Sequence, residues 1–296
     1  MHSHSQHNQH EQTEGNLKLA FWLNTVFAVV EVFGGIATNS IAVLSDAVHD
    51  AGDSVALGIA WYFHRISSRK RDKTFTFGYK RFSVLGALVN SLILLSGSAI
   101  ILVEAIPRIF SPQHVNAQGM MYLAFLGIFV NGFAAFRVRK GETQNEKVIS
   151  LHLLEDLMGW MSVLVVSIVL RFYDVPILDP LLSIAITLFI LYRLYGSLRK
   201  TFRILLQGTP KQMQAEEIEK HIREIPEILA IHDLHIWTMD GSFHVATLHL
   251  EVANEMNLQE TEVIKEKVRH ELHHLGIAHA TLEIELQGQT CDLNDC

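Results

Sequence analysis

Long apolar stretches separated by short polar segments fill the first two thirds of this chain of 296 residues. A helix that crosses a bilayer needs about 20 mostly apolar residues. Six stretches reach this length, and Gly and Pro residues punctuate the segments between them. They cover residues 17–37, 41–63, 82–106, 120–138, 148–172 and 177–195. The pattern therefore predicts a membrane domain of six transmembrane α-helices.

The hydrophobic pattern changes after residue 208. Apolar residues follow helical spacing in two segments and alternate in strands in three others, and Asp240-Gly241 marks a tight turn. The predicted order is helix 211–224, strand 230–238, strand 243–251, helix 258–275 and strand 278–286. The predicted domains are a flexible His-rich N-terminus (1–16), the six-span membrane domain (17–208), a cytosolic α+β domain of order αββαβ (209–287) and a C-terminal tail (288–296).

Charge is distributed unevenly along the chain. Residues 209–296 hold 6 Lys and Arg against 17 Asp and Glu, and the formal net charge of the whole chain is −7. A nucleic-acid-binding domain has the opposite sign, so we expect no nucleic-acid partner. Lys and Arg concentrate after the second, fourth and sixth stretches, and this bias predicts that both termini lie in the cytosol.

Ionisable side chains occur inside two of the predicted spans, where each costs about 2.5–3.5 kcal/mol to insert. His49 and Asp53 are four residues apart on the second span, and His152 and Asp156 repeat this spacing on the fifth. Residues four apart share a helix face. Two imidazole nitrogens and two carboxylate oxygens on facing helices can form a tetrahedral site suited to zinc. The alternative is that these side chains are buried polar groups that bridge helices.

Further acidic residues lie in the same membrane region. Asp50 and Glu155 each adjoin one of the paired residues, and a step of about 100° along a helix places them off the faces of the pairs. Asp46 lies one turn outward from Asp50 and is expected to line an outer cavity. For Glu31, a cavity wall and a helix–helix contact both remain open, whereas Glu104 is expected at the outer interface.

Three motifs occur together in this sequence. They are the His-x-x-x-Asp pairs on the second and fifth spans, Phe77-Gly78-Tyr79 before the third span, and His232-Asp-Leu-His-Ile-Trp237 in the acidic domain. This combination resembles the cation diffusion facilitator family of zinc exporters. Because His comes first in both pairs, the chain looks similar to the zinc-preferring branch of that family.

The resemblance implies a homodimer in the plasma membrane of a bacterium that exports Zn²⁺ from the cytosol in exchange for protons. Cd²⁺ and Co²⁺ are further candidate substrates. It also implies alternating access around His49, Asp53, His152 and Asp156, and a metallochaperone-like cytosolic domain. Zn²⁺ is then a transported substrate, and the protein is a secondary transporter rather than an enzyme.

Four residues of the cytosolic domain match metal-site positions of the family: His232, His235, His249 and Glu285. The alternative is an acidic dimer interface whose histidines are hydrogen-bonded within the protein.

The sequence also departs from the family pattern. Phe75 and Tyr79 stand where some bacterial relatives have His, so a further metal site in that segment is not expected. The N-terminal histidines could bind zinc loosely, or they form a flexible tract or a tag without function. The terminal cysteines could cap a metal site, but a disordered terminus is the favoured interpretation. These residues are His2, His4, His7, His10, Cys291 and Cys296.

Two other functions are alternatives to transport. An intramembrane zinc hydrolase would need an open coordination position and a general base, whereas four protein ligands close the predicted site. The His-Glu-x-x-His signature of such enzymes is also missing from the six predicted spans. A metal sensor that signals through its cytosolic domain is the other alternative.

Overall fold

The computed structural model describes residues 22–138 and 144–289, with side chains except at positions 57, 60, 61, 64, 137, 138 and 144–152. The N-terminal histidines and the two cysteines named above lie outside the described residues. The chain divides into two compact units, Met1–Trp61 with Leu88–Ser197, and Tyr62–Ala87 with Leu198–Cys296, as far as these ranges are described. The predicted division after residue 208 stays a prediction.

Six helices precede the cytosolic domain in the described residues. They are α1 (Trp22–Thr38), α2 (Ile41–Ser67), α3 (Arg81–Phe110), α4 (Ala117–Val138), α5 (Gln144–Phe172) and α6 (Leu178–Leu205). By length and composition, four of the described helices could cross a membrane, namely α3 to α6. Helix α2 is also long, at 27 residues, and carries Asp46, Asp50 and Asp53. A helical membrane domain is therefore confirmed.

Aromatic and small residues determine how α1, α4 and α5 pack. Trp160 of α5 is fully buried, and its ring centroid lies 5.4 Å from that of Phe27 on α1. A Cβ atom added at Gly127 of α4 would lie 2.3 Å from the Trp160 ring. Any larger residue at position 127 would therefore push this ring out of place.

The start of α2 is held by a buried carboxylate from α6. Asp179 accepts hydrogen bonds from the backbone N–H groups of Ile41 (2.8 Å) and Ala42 (3.3 Å) and from the hydroxyl of Ser40 (2.5 Å). A carboxylate here satisfies N–H groups that a helix start leaves without intrahelical partners. These hydrogen bonds hold the first residues of α2, the helix that carries His49, against α6.

The cytosolic domain is a three-stranded mixed sheet with two helices. Its elements are α7 (Ala215–Arg223), β1 (Ala230–Thr238), β2 (His244–Val252), α8 (Leu258–His274) and β3 (Ile277–Leu286). The strand order is β1-β2-β3, with β1 antiparallel and β3 parallel to β2. Ile222, Leu248 and Leu272 are fully buried in its core. The predicted order αββαβ is confirmed.

Most predicted boundaries in this domain are within a residue or two of those observed, and the start of α7 is the exception. The helix begins at Ala215 rather than at residue 211. The N–H of Met213 donates to the carbonyl of Pro210 (3.0 Å), so a turn occupies the predicted first helical turn. Gln214 then forms the N-cap in an extended conformation. The turn that begins at Pro210 therefore precedes the helix.

Candidate metal sites

The predicted pair on α2 shares one helix face. The Nε2 atom of His49 lies 3.7 Å from Oδ2 of Asp53, and both side chains are partly buried. One helical turn separates them, which is why spacing alone places the imidazole beside the carboxylate. Both side chains line a cavity of about 220 Å³, whose other lining residues come from α3 and α6.

Asp156 approaches this face from α5. Ligand atoms of His49, Asp50 and Asp156 all lie within 4.8 Å of one another, and both carboxylates are buried. The structure thus brings together one residue of each predicted pair. It also adds Asp50, which the sequence placed off the shared face. The 100° step from His49 to Asp50 therefore leads towards Asp156 of α5, and Asp50 is fully buried there.

The backbone alone gives the position of the second predicted histidine, His152. Helix α5 runs from Gln144 to Phe172 and places His152 one turn before Asp156. The side chain of His152 lies outside the described residues. Its role as a further ligand therefore stays a prediction.

A basic residue that the sequence interpretation missed lines the same cavity. Arg193 of α6 faces it and forms an ion pair with Glu155 of α5. A single Arg within a predicted span was the signal that could have revealed it, since intramembrane charges normally have a partner. Glu155 therefore neutralises a cation beside the cavity.

The chemistry of this region fits a divalent ion such as zinc. Imidazole and carboxylate together suit zinc, whereas magnesium and calcium prefer oxygen ligands in larger shells. Glu31, Asp46 and Asp50 are 0%, 4% and 0% exposed, so several carboxylates share one buried region. Carboxylates confined in this way need protons or a bound cation to offset their repulsion. The buried region can therefore hold either protons or a metal cation.

A second group of ligands lies on the sheet of the cytosolic domain. His232 on β1 is directly opposite His249 on β2, and Glu285 lies on β3. One oxygen of Glu285 lies 2.8 Å from Nε2 of His232 and the other lies 2.7 Å from Nδ1 of His249. Three of the four predicted residues of this domain thus come together. His249 and Glu285 are buried, whereas His232 is partly open to solvent.

His235, the fourth predicted residue, adjoins this group through an aspartate. An irregular register between His232 and His235 places His235 opposite Thr247. Asp233 lies in this irregularity at a φ of +50°, with one oxygen 2.8 Å from Nε2 of His235 and the other 3.5 Å from Nε2 of His249. Asp233 is therefore a candidate site residue that strand alternation could not predict.

The segment between α2 and α3 is closed by an aspartate and two aromatic rings. The hydroxyl of Tyr79 donates to Asp72 (2.5 Å), and its ring centroid lies 4.6 Å from that of Phe75. Hydrogen bonds from Tyr79 and from the backbone of Phe75 and Thr74 lower the pKa of Asp72 below its ordinary value of 3.8. The carboxylate of Asp72 thus accepts the hydrogen bonds that stabilise this turn.

A helical membrane domain with converging imidazole and carboxylate ligands, joined to an acidic α+β domain, defines a transporter of metal cations. Residues 17–206 match the family model of the cation efflux transmembrane domain. Residues 210–287 match that of the cation efflux protein cytoplasmic domain. The chain belongs to the cation efflux family. This is the same family, under another name, as the cation diffusion facilitators that the sequence motifs resemble.

Relatives of known name resemble the chain over nearly its whole length. A cadmium, cobalt and zinc/H(+)-K(+) antiporter of Bacillus subtilis is 33% identical over 291 residues, which cover 96% of this chain and 94% of the relative. The metal cation efflux system protein CzcD of Cupriavidus metallidurans is 34% identical over 282 residues, covering 94% and 89%. The zinc transporter ZitB of Escherichia coli is 32% identical over 305 residues, covering 99% and 96%. The chain is therefore a cation efflux transporter and not an enzyme, which removes the hydrolase alternative.

Proposed function

We propose that this protein exports Zn²⁺ from the cytosol in exchange for protons. One observation supports the site above all others: ligand atoms from α2 and α5, on His49, Asp50 and Asp156, lie within 4.8 Å of one another inside the helical domain. Asp53 and His152 complete the proposed transport site. The names of the B. subtilis antiporter and of ZitB support the metal and the proton, and the former adds Cd²⁺ and Co²⁺ as candidate substrates.

Exchange follows from competition for the same ligand atoms. Zinc binds neutral imidazole and ionised carboxylate, so protonation of His49 or Asp156 displaces the metal. If the site opens alternately to each side of the membrane, protons entering from outside release the zinc, and the protonated site then returns to the cytosol. Asp50 offers one more carboxylate within reach of the same ion.

The cytosolic group is proposed to bind Zn²⁺ separately from the transported ion. His232, His249 and Glu285 supply two nitrogens and a carboxylate, which is a ligand set typical of zinc. His235 and Asp233 adjoin this group and are proposed to support it. Metal bound here would act on the cytosolic domain without entering the transport site.

The proposed assembly is a homodimer in the plasma membrane of a bacterium. The cytosolic domain matches a family model named for dimerisation, and the relatives reported above are bacterial. The Lys and Arg bias of the sequence supports cytosolic termini.

Zinc flux into inside-out membrane vesicles tests the transport site. We expect Asp53→Ala and Asp156→Ala to abolish zinc uptake and the accompanying release of protons, because each removes a charged ligand. Asp174→Ala is the matched control, since Asp174 is an exposed carboxylate far along the chain from α2 (its side chain is 80% exposed). Undiminished flux in both site variants, at equal amounts of inserted protein, would reject the assignment.

A further inference from the structure

Two histidines at the C-terminal end of α8, one helical turn apart, point their rings at a common position. His270 and His274 are four residues apart, and side chains at this spacing begin about 5–6 Å apart at their Cβ atoms. Their ring centroids are 4.4 Å apart, and their Nε2 atoms are only 3.3 Å apart. The rings therefore converge from the helix surface towards their Nε2 atoms.

The distance between these nitrogens matches chelation of a tetrahedral ion. With zinc–nitrogen bonds of about 2.0–2.1 Å, two ligands at the tetrahedral angle lie ~3.3 Å apart. Two ligands at right angles, as in square-planar or octahedral sites, would lie only ~2.9 Å apart for the same bond length. The observed separation of 3.3 Å thus favours zinc or another ion of tetrahedral preference.

The surroundings of the pair attract cations. His270 borders an open cleft whose lining includes the carboxylates of Glu224, Glu227, Glu266 and Glu271. Lys267, the one cationic residue of that lining, forms an ion pair with Glu227. The pair also lies near the C-terminal end of α8, where the carbonyl groups of a helix favour positive charge.

We propose that His270 and His274 form a further zinc site on the surface of the cytosolic domain, separate from the group around His249. Among the described residues, no third metal-binding side chain lies close enough to form a group of three with this pair. Water therefore completes the ligand shell of the proposed site. Two protein ligands bind more weakly than three, and the site fills only after the group around His249. Bound zinc joins two successive turns of α8 and holds its end closed.

Amide hydrogen exchange on the full-length protein tests this site, because zinc that binds only the closed last turn slows its local opening. At a free zinc concentration ten times the midpoint of the effect, exchange of the amides in this turn should slow about tenfold. His270→Asn and His274→Asn should each remove that slowing. His273→Asn is the control, because His273 is an exposed neighbour on the same helix.

The alternative is a hydrogen bond in which one neutral ring donates its N–H to the other. In that case zinc would leave the exchange of the last turn unchanged in the unaltered protein, and the proposal would be wrong. Slowing that persists in both His270→Asn and His274→Asn would place the metal elsewhere and would also overturn it. Slowing lost in both, and kept in His273→Asn, supports the site.

Discussion

The ion pair of Arg193 and Glu155 places a positive charge beside the cavity that His49 and Asp53 line. A metal cation entering the cavity meets the guanidinium, and the nearby carboxylate screens that repulsion. Removing the carboxylate of Glu155 alone should therefore weaken zinc uptake more than removing both charges. Charges of equal sign at such a site oppose each other more strongly than in water.

We expect Glu155→Gln to weaken zinc uptake more than Arg193→Met does. The Gln variant leaves Arg193 uncompensated, which should raise the zinc concentration at half-maximal flux by about tenfold, or ~1.4 kcal/mol. The double variant removes the repulsion and should recover most of the loss. Vesicle flux at varied zinc concentration measures all three. A double variant as impaired as Glu155→Gln would show that Glu155 acts in another way.

Hydrogen bonds between Asp179 of α6 and the start of α2 form a clamp between these two helices. This clamp orients α2, the helix that carries His49 and Asp53. Asp179 bonds two backbone N–H groups and a hydroxyl there. An N-terminal cap is worth about 0.5–2 kcal/mol, and a buried N–H left without a partner costs about 1–3 kcal/mol. Losing Asp179 should therefore loosen α2 as well as lower stability.

We expect Asp179→Ala to destabilise the detergent-solubilised protein by about 1–3 kcal/mol. Asp179→Asn should cost less, because the amide oxygen still accepts hydrogen bonds. Thermal unfolding followed by tryptophan fluorescence measures the difference, with Asp174→Ala as the exposed control. Equal unfolding temperatures for Asp179→Ala and the control would show that the clamp does not stabilise α2.

Elements of this chain are predictable where the signal is periodic and local. Apolar length predicted the membrane helices, and alternation predicted β1 at its observed residues, Ala230–Thr238. Asp50, Asp233 and Arg193 escaped the prediction because their positions depend on tertiary structure. Asp156 on α5 comes close to Asp50, an irregular strand register brings Asp233 close to His249, and Glu155 on α5 pairs with Arg193.

Across the whole molecule, the two groups of metal ligands belong to different compact units. His49, Asp50 and Asp156 lie in the unit that contains Leu88–Ser197, whereas His249 and Glu285 lie in the unit that contains Leu198–Cys296. Neither unit needs a ligand from the other to assemble its group. Zinc binding to one group should therefore survive damage to the other.

This separation predicts opposite effects for two variants. His249→Ala should abolish the zinc-dependent slowing of amide exchange in β1 and β2, because it removes a buried ligand from the sheet, while zinc flux at saturating zinc continues. Asp156→Ala should abolish flux and leave the slowing in the strands intact. Vesicle flux and hydrogen exchange on the same preparations measure both properties. If His249→Ala also stopped flux at saturating zinc while the protein stayed folded and inserted, the two groups would be coupled, and the independence predicted from their separate units would be wrong.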